Sequence, residues 1–121
     1  ESVLAARTGG AQRVELCSAL AEGGVTPSVG LMREARKVEG IKLNVLIRPR
    51  GGDFLYTEEE VLIMEADVLA AREIGADGVV IGALTKYGDV DVAVCQRLVT
   101  AAGDMSVTFA IRVRHSRMSS R

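Results

Sequence analysis

The chain reads as an α/β protein: a partial (β/α)8 TIM barrel of about four βα units with parallel strands. Three observations lead there. Strand-like and helix-like stretches alternate along the whole sequence, which demands crossover connections and a parallel sheet. Val14 and Val107, matching points of the first and fourth strand stretches, imply units of about 31 residues, and eight such units come to about 248, near the ~250 of a closed barrel. The side chains are 48% hydrophobic but only 3% aromatic, without Trp. A core of Ala, Val, Leu and Ile suits strands covered by helices.

The elements follow in order. Ser2 to Arg7 reads as the end of a helix stopped by Gly9-Gly10. Arg13 to Cys17 is a strand stretch. Thr26-Pro27 pairs an N-cap with Pro at a first helical position and opens a helix through about Val38. Leu43 to Ile47 is a second strand, aliphatic and without helical spacing. Thr57 with Glu60 forms a capping box, and Glu58, Glu59 and Glu60 complement the helix dipole. Val61, Met64, Val68 and Ala71 then recur at helical spacing as the buried stripe, leaving Glu65, Asp67 and Arg72 for solvent. Gly78 to Ala83 is the third strand, Asp89 or Asp91 opens a helix to about Ala102, and Met105 to Phe109 is the fourth strand. Gly10-Ala11 entering one strand echoes Gly75-Ala76 entering another, 65 residues later, which is about two units. The competing architecture is a small flavodoxin-like sheet with helices on both faces.

Charge divides the chain. The formal net charge is −1, but residues 1–110 carry 11 basic and 16 acidic side chains. The remainder carries Arg112, Arg114, Arg117, Arg121, the single His115 and no acid. This step separates a barrel domain, 1–110, from a divergent basic tail, 111–121. An acidic body argues against nucleic acid as a partner. Apolar runs fall far short of the ~20 residues of a membrane span. The chain opens Glu-Ser-Val-Leu without an export signal, so a cytoplasmic location is expected, and its start reads as cut from something longer. Cys17 and Cys95 lie 78 residues apart, in no zinc-type spacing and no disulfide framework.

Chemistry gathers where barrel strands end. Those positions are Glu15 and Cys17, the loop Glu22-Gly23-Gly24, then Arg48, Arg50 and Asp53, then Thr85. The most informative is Ile47-Arg48-Pro49-Arg50-Gly51-Gly52-Asp53-Phe54, an aliphatic strand ending in two arginines and two glycines. Arg48 and Arg50 either pair with nearby carboxylates or bind a small anionic ligand. Asp53 is expected to hold the Gly51-Gly52 turn. Glu15 and Cys17 share a face by strand alternation. Glu15 is either a structural ion-pair partner of Arg48 or a general acid/base tuned by it. Cys17 is either an inert buried thiol or a ligand, and Cys95 is core. Neither glycine pair matches a P-loop or dinucleotide fingerprint.

Arg13-Val-Glu-Leu-Cys17, Glu22-Gly-Gly-Val-Thr-Pro-Ser28, Ile47-Arg-Pro-Arg-Gly-Gly-Asp-Phe54 and Gly75-Ala-Asp-Gly-Val79 together resemble the CutC copper homeostasis family, from about residue 1 to Phe109. The resemblance implies a cytoplasmic, often oligomeric TIM barrel tied to copper tolerance and proposed to bind Cu(I). The family's first strand is expected before Glu1. After Phe109 the chain departs from the family's His-Arg-Ala-Phe-Asp-type segment, as an altered reading frame would produce, so His115 is not equated with the family's histidine.

Two functions compete. In one, the chain handles copper, with Cys17 as the metal ligand because Cu(I) prefers thiolate. In the other it is an enzyme or its remnant, with Glu15 as candidate catalytic residue and Arg48 and Arg50 binding an anion. Residue types alone leave open whether any reaction is catalysed. Because four strands leave open edges and an apolar interior, a homo-oligomer is expected, most simply a two-fold dimer.

Overall fold

A computed structural model describes residues 4–8, 13–18, 23–38 and 40–109. Five strands and three helices run in the order β1 (Leu4–Thr8), β2 (Arg13–Leu16), α1 (Val29–Arg36), β3 (Lys42–Leu46), α2 (Glu58–Ile74), β4 (Gly78–Ile81), α3 (Val92–Ala102) and β5 (Ser106–Phe109). They make one sheet in sequence order, β1-β2-β3-β4-β5. The pairs β2–β3, β3–β4 and β4–β5 are parallel.

Period-2 alternation sorts the strands into two faces. Leu16, Leu43, Val45, Ile47, Val79 and Ile81 form one core with Met32 of α1, Met64, Val68 and Ala71 of α2, and Leu98 and Ala102 of α3. All three helices therefore cover the same face, and the strands follow without a switch point. That is an arc of a barrel wall; a flavodoxin-like sheet would carry helices on both faces. The opposite face carries Glu15, Asn44, Leu46, Arg48, Gly78 and Val80 by the same alternation.

Helix ends follow local chemistry. Thr57 caps α2 through a complete capping box with Glu60, and Gly75 closes it in the left-handed region at φ 97°. Asp91, the second of the two acids considered, caps α3 by accepting from the Val94 N–H. Arg97 on α3 meets both Glu58 and Glu65 on α2, fastening the two helices. Those two carboxylates, with the bond to Glu65 foremost, hold the Arg97 guanidinium well above its ordinary pKa.

Three expectations are corrected here. Leu4–Thr8 is a strand, not a helix end: it pairs antiparallel with β2, whose outer N–H and C=O groups would otherwise lack a sheet neighbour. The N-cap of α1 is Ser28, whose hydroxyl accepts from Leu31 N at 3.1 Å, because the Thr26 hydroxyl is occupied by the backbone of Arg48. Asp67 is not a free solvent residue; burial raises its carboxyl pKa. The Gly9-Gly10 stop, Glu22, His115 and the 111–121 tail lie outside the described residues.

Beneath the sheet, Asp77 joins α1 to β3. Its carboxylate accepts from Leu43 N at 2.7 Å and Arg36 Nη1 at 2.8 Å. Burial works against the charged form, but these partners outweigh it and hold the pKa below the usual carboxylate value. A depressed folded pKa gives stability that is present above about pH 4 and lost as pH falls through the folded value. Asp77→Asn should therefore lower the urea midpoint at pH 7, with the gap to wild type narrowing below about pH 4. A pH-independent gap would contradict the linkage.

Candidate functional site

The carboxyl ends of β2 and β3 converge on Arg48. It is buried, 8% exposed, two residues beyond the end of β3. A buried guanidinium needs acceptors, and the loops supply them. Nη1 donates to Gly24 O at 3.0 Å and Nη2 to Gly52 O at 2.6 Å. The Phe54 ring lies against its face, 4.8 Å from Cζ to the centroid. The backbone is bound as well. Arg48 N donates to Thr26 Oγ1 at 2.7 Å, and Arg48 O accepts from Thr26 N at 2.9 Å and from the Thr26 hydroxyl at 3.1 Å. One residue thus ties the loop after β2 to the loop after β3.

Arg50 is engaged differently. Nε and Nη2 fork onto Glu60 at 2.9 and 3.1 Å. Nη1 donates to Asp53 O at 2.8 Å and meets the Asp53 carboxylate at 3.1 Å, while Nη2 also reaches Leu55 O at 2.7 Å. Its face covers Tyr56 at 4.9 Å. The Glu60 bond foremost raises the Arg50 pKa, and the same pair lowers that of Glu60. Of the two readings of Arg50, the structure builds the paired one: its donors are directed at acceptors within its own loop and the first turn of α2. Asp53 does not hold the Gly51-Gly52 turn as expected. Its carboxylate accepts from Leu55 N at 3.1 Å, an Asx-type turn facing the other way.

Cys17 follows β2 on the same face as Glu15 and is 5% exposed. Gly24 passes directly over it; a Cβ there would stand 3.3 Å from Cys17 Sγ and 2.9 Å from Leu46 Cδ2. Burial first, and the nearby Glu15 carboxylate second, push the thiol pKa up, so the resting group is a thiol. Cys95 is buried in α3, as its position implied.

Glu15 stands one residue before the end of β2 and pairs in register with Asn44, four positions before Arg48 on the neighbouring chain segment. Its ion pair with Arg48 gives way to a different arrangement, in which the guanidinium turns to the loop carbonyls. Thr85 accepts from Tyr87 N and Asp89 N, and so organises its own turn. Among the described residues, no group of three His, Cys, Asp or Glu side chains is placed to hold a metal ion. None of the helices there is long and apolar enough to cross a membrane.

Sequence reasoning passed over Thr26, Phe54, Tyr56 and Glu60 as parts of this mouth. A signal was present: two of the chain's four aromatic residues fall within three positions, directly after the two arginines. Their rings meet edge to face, 6.3 Å apart. Burial raises the Tyr56 phenol pKa, partly offset by the two guanidiniums.

Comparison with known proteins gives a consistent result. The family model described as "CutC family" matches residues 1–117. A CutC family protein of Bacteroides thetaiotaomicron is 54% identical over 110 residues, covering 90% of this chain and 44% of that protein. The human protein named copper homeostasis protein cutC homolog is 48% identical over 109 residues, covering 90% and 40%. The crystal structure of CutC from Streptococcus agalactiae superposes with a TM-score of 0.79 at 42% identity, over 81% of this chain and 48% of that one. The chain thus spans less than half the length of the relatives it matches.

A double-mutant cycle of Arg50→Ala and Glu60→Ala should give a favourable coupling in thermal stability at low salt that shrinks at about 1 M salt. Additive losses would place the two side chains apart.

Proposed function

Because the chain belongs to the CutC family, we propose that it serves copper homeostasis in the cytoplasm, with Cu(I) held at the barrel mouth through Cys17. The observation that carries this reading is the position of Cys17, a thiol on the inner face at the carboxyl end of β2, where barrel proteins keep their ligands. Cu(I) is soft and prefers thiolate. The names carried by the relatives support the copper role.

One thiolate is a poor site for Cu(I), so a second soft ligand completes it, from a further segment of the protein or from a second copy of the chain. An apolar groove at the far end of the sheet, formed by Val90, Val92, Cys95, Val99 and Phe109, supports self-association. Phe109 is 55% exposed there, at the outer edge of β5. Arg48 and Arg50 then shape the mouth rather than clamp an anion, since their donors face loop carbonyls and carboxylates. Glu15 tunes the thiol beside it rather than transferring a proton to substrate.

The test is a competition titration of Cu(I) against a chromophoric chelator. Wild type should take up about one copper per two chains, and Cys17→Ser should lose it. Because the bound form is thiolate and the resting form a high-pKa thiol, affinity should rise by about tenfold per pH unit between pH 6 and 8. Copper retained by Cys17→Ser, or an affinity flat in pH, would contradict the assignment. Loss of inorganic phosphate binding in Arg48→Met with copper uptake intact would favour the anion-binding alternative.

A further inference from the structure

We infer that residues Gly23–Thr26 form a strap over Cys17, and that Arg48 is the latch that keeps the strap closed. The inference rests on the reading of Cys17 as the metal-facing thiol and concerns how that thiol is reached.

The strap is fastened at three points. At the centre, Gly24 O accepts from Arg48 Nη1 at 3.0 Å. Beside it, Val25 exchanges a pair of backbone hydrogen bonds with Ser18, Ser18 N to Val25 O at 3.0 Å and Val25 N to Ser18 O at 2.9 Å. At the Thr26 margin, that residue is bound through both backbone N–H and hydroxyl to the backbone of Arg48. The Gly24 bond is the point that bears on Cys17, because a Cβ on the same residue whose carbonyl meets Arg48 would stand 3.3 Å from the sulfur.

Two consecutive glycines make this fit possible. Gly23 and Gly24 have φ of 90° and 95°, a region that side chains rarely adopt. A Cβ on Gly23 would meet Arg48 Nη1 at 2.8 Å, and one on Gly24 would meet Leu46 Cδ2 at 2.9 Å and Cys17 Sγ at 3.3 Å. Both glycines therefore serve close approach, one to the latch and the other to the thiol.

The other end of the latch lies on a different loop. Arg48 Nη2 is held by Gly52 O, and Phe54 covers the guanidinium plane. Releasing Arg48 Nη1 frees the strap at Gly24, while the Ser18–Val25 and Thr26–Arg48 bonds hold its far side and Arg48 stays bound to Gly52 O. This asymmetry gives a hinged cover rather than a buried core contact: the strap lifts, and the arginine remains in place. Arg48→Lys keeps the charge but cannot donate in two directions from one plane.

The experiment uses no metal, so it fails separately from the copper reading. The chain is alkylated with iodoacetamide at fixed pH, and modification of Cys17 and Cys95 is quantified separately by mass spectrometry. Cys95 is equally buried but lies in α3, on the wall of the groove at β5 and away from the strap, so it reports loosening elsewhere in the fold. In Arg48→Lys the rate at Cys17 should rise by about tenfold or more while Cys95 stays at its wild-type rate. Gly24→Ala, which lifts the strap by steric overlap instead, should give the same selective rise. A selective rise at Cys17 in Arg48→Lys supports the latch, and the same rise in Gly24→Ala supports the strap as the cover of the thiol. If Arg48→Lys leaves Cys17 unchanged or raises both cysteines together, the inference is overturned.

Discussion

The mouth of this molecule is organised by the need to satisfy one buried guanidinium. Removing a charge from water is costly unless polar partners meet it, and Arg48 is 8% exposed. Carbonyls from two separate loops and the face of Phe54 answer that need. Each loop is consequently fixed relative to β3 and, through it, to the other. The position of Gly24 over Cys17, the course of Gly23–Thr26 and the return of Gly52 toward the strand end all follow from it.

Arg48 can sit there because β3 is buried on both faces. Leu43, Val45 and Ile47 pack against the helices, while Asn44 and Arg48 are covered on the other side. Alternation then carries polarity in a consistent direction: the helix-facing row of β3 is aliphatic, and its inner row holds Asn44 and Arg48. Below, Asp77 performs the corresponding task at the opposite end of the sheet, tying α1 to β3 through Arg36 and the Leu43 N–H. A barrel arc held at both ends by buried or half-buried charges keeps stability and chemistry on separate rims.

Much of this was legible in the sequence, wherever one local rule acted alone. The four parallel strands, the Thr57–Glu60 capping box, the stripe Val61, Met64, Val68 and Ala71, and the burial of Cys95 depend on spacing or on a single turn of backbone. The misreadings fall where a distant partner decided the outcome. Leu4–Thr8 has the composition of a helix end but answers the open edge of β2. Thr26 has the form of an N-cap, yet its hydroxyl serves Arg48, 22 residues away, and the cap passes to Ser28. Glu15 and Arg48 both stand on strands that end at the mouth, but the register sets them on different levels. No reading of single residues contains a register, and the fork between Arg50 and Glu60 likewise spans a loop whose path had first to be known.

The most direct measurement is the side-chain NMR spectrum of Arg48 in the folded chain, assigned by comparison with an Arg48→Lys sample. A guanidinium held at both Nη1 and Nη2 by different loops cannot turn freely about its Cζ–N bonds. Separate, slowly exchanging Nη signals at 25 °C are therefore the expected result, whereas exposed arginines give one averaged signal. A single averaged Nη signal for Arg48 would contradict the clasp, and with it the fixed geometry of both loops at the mouth.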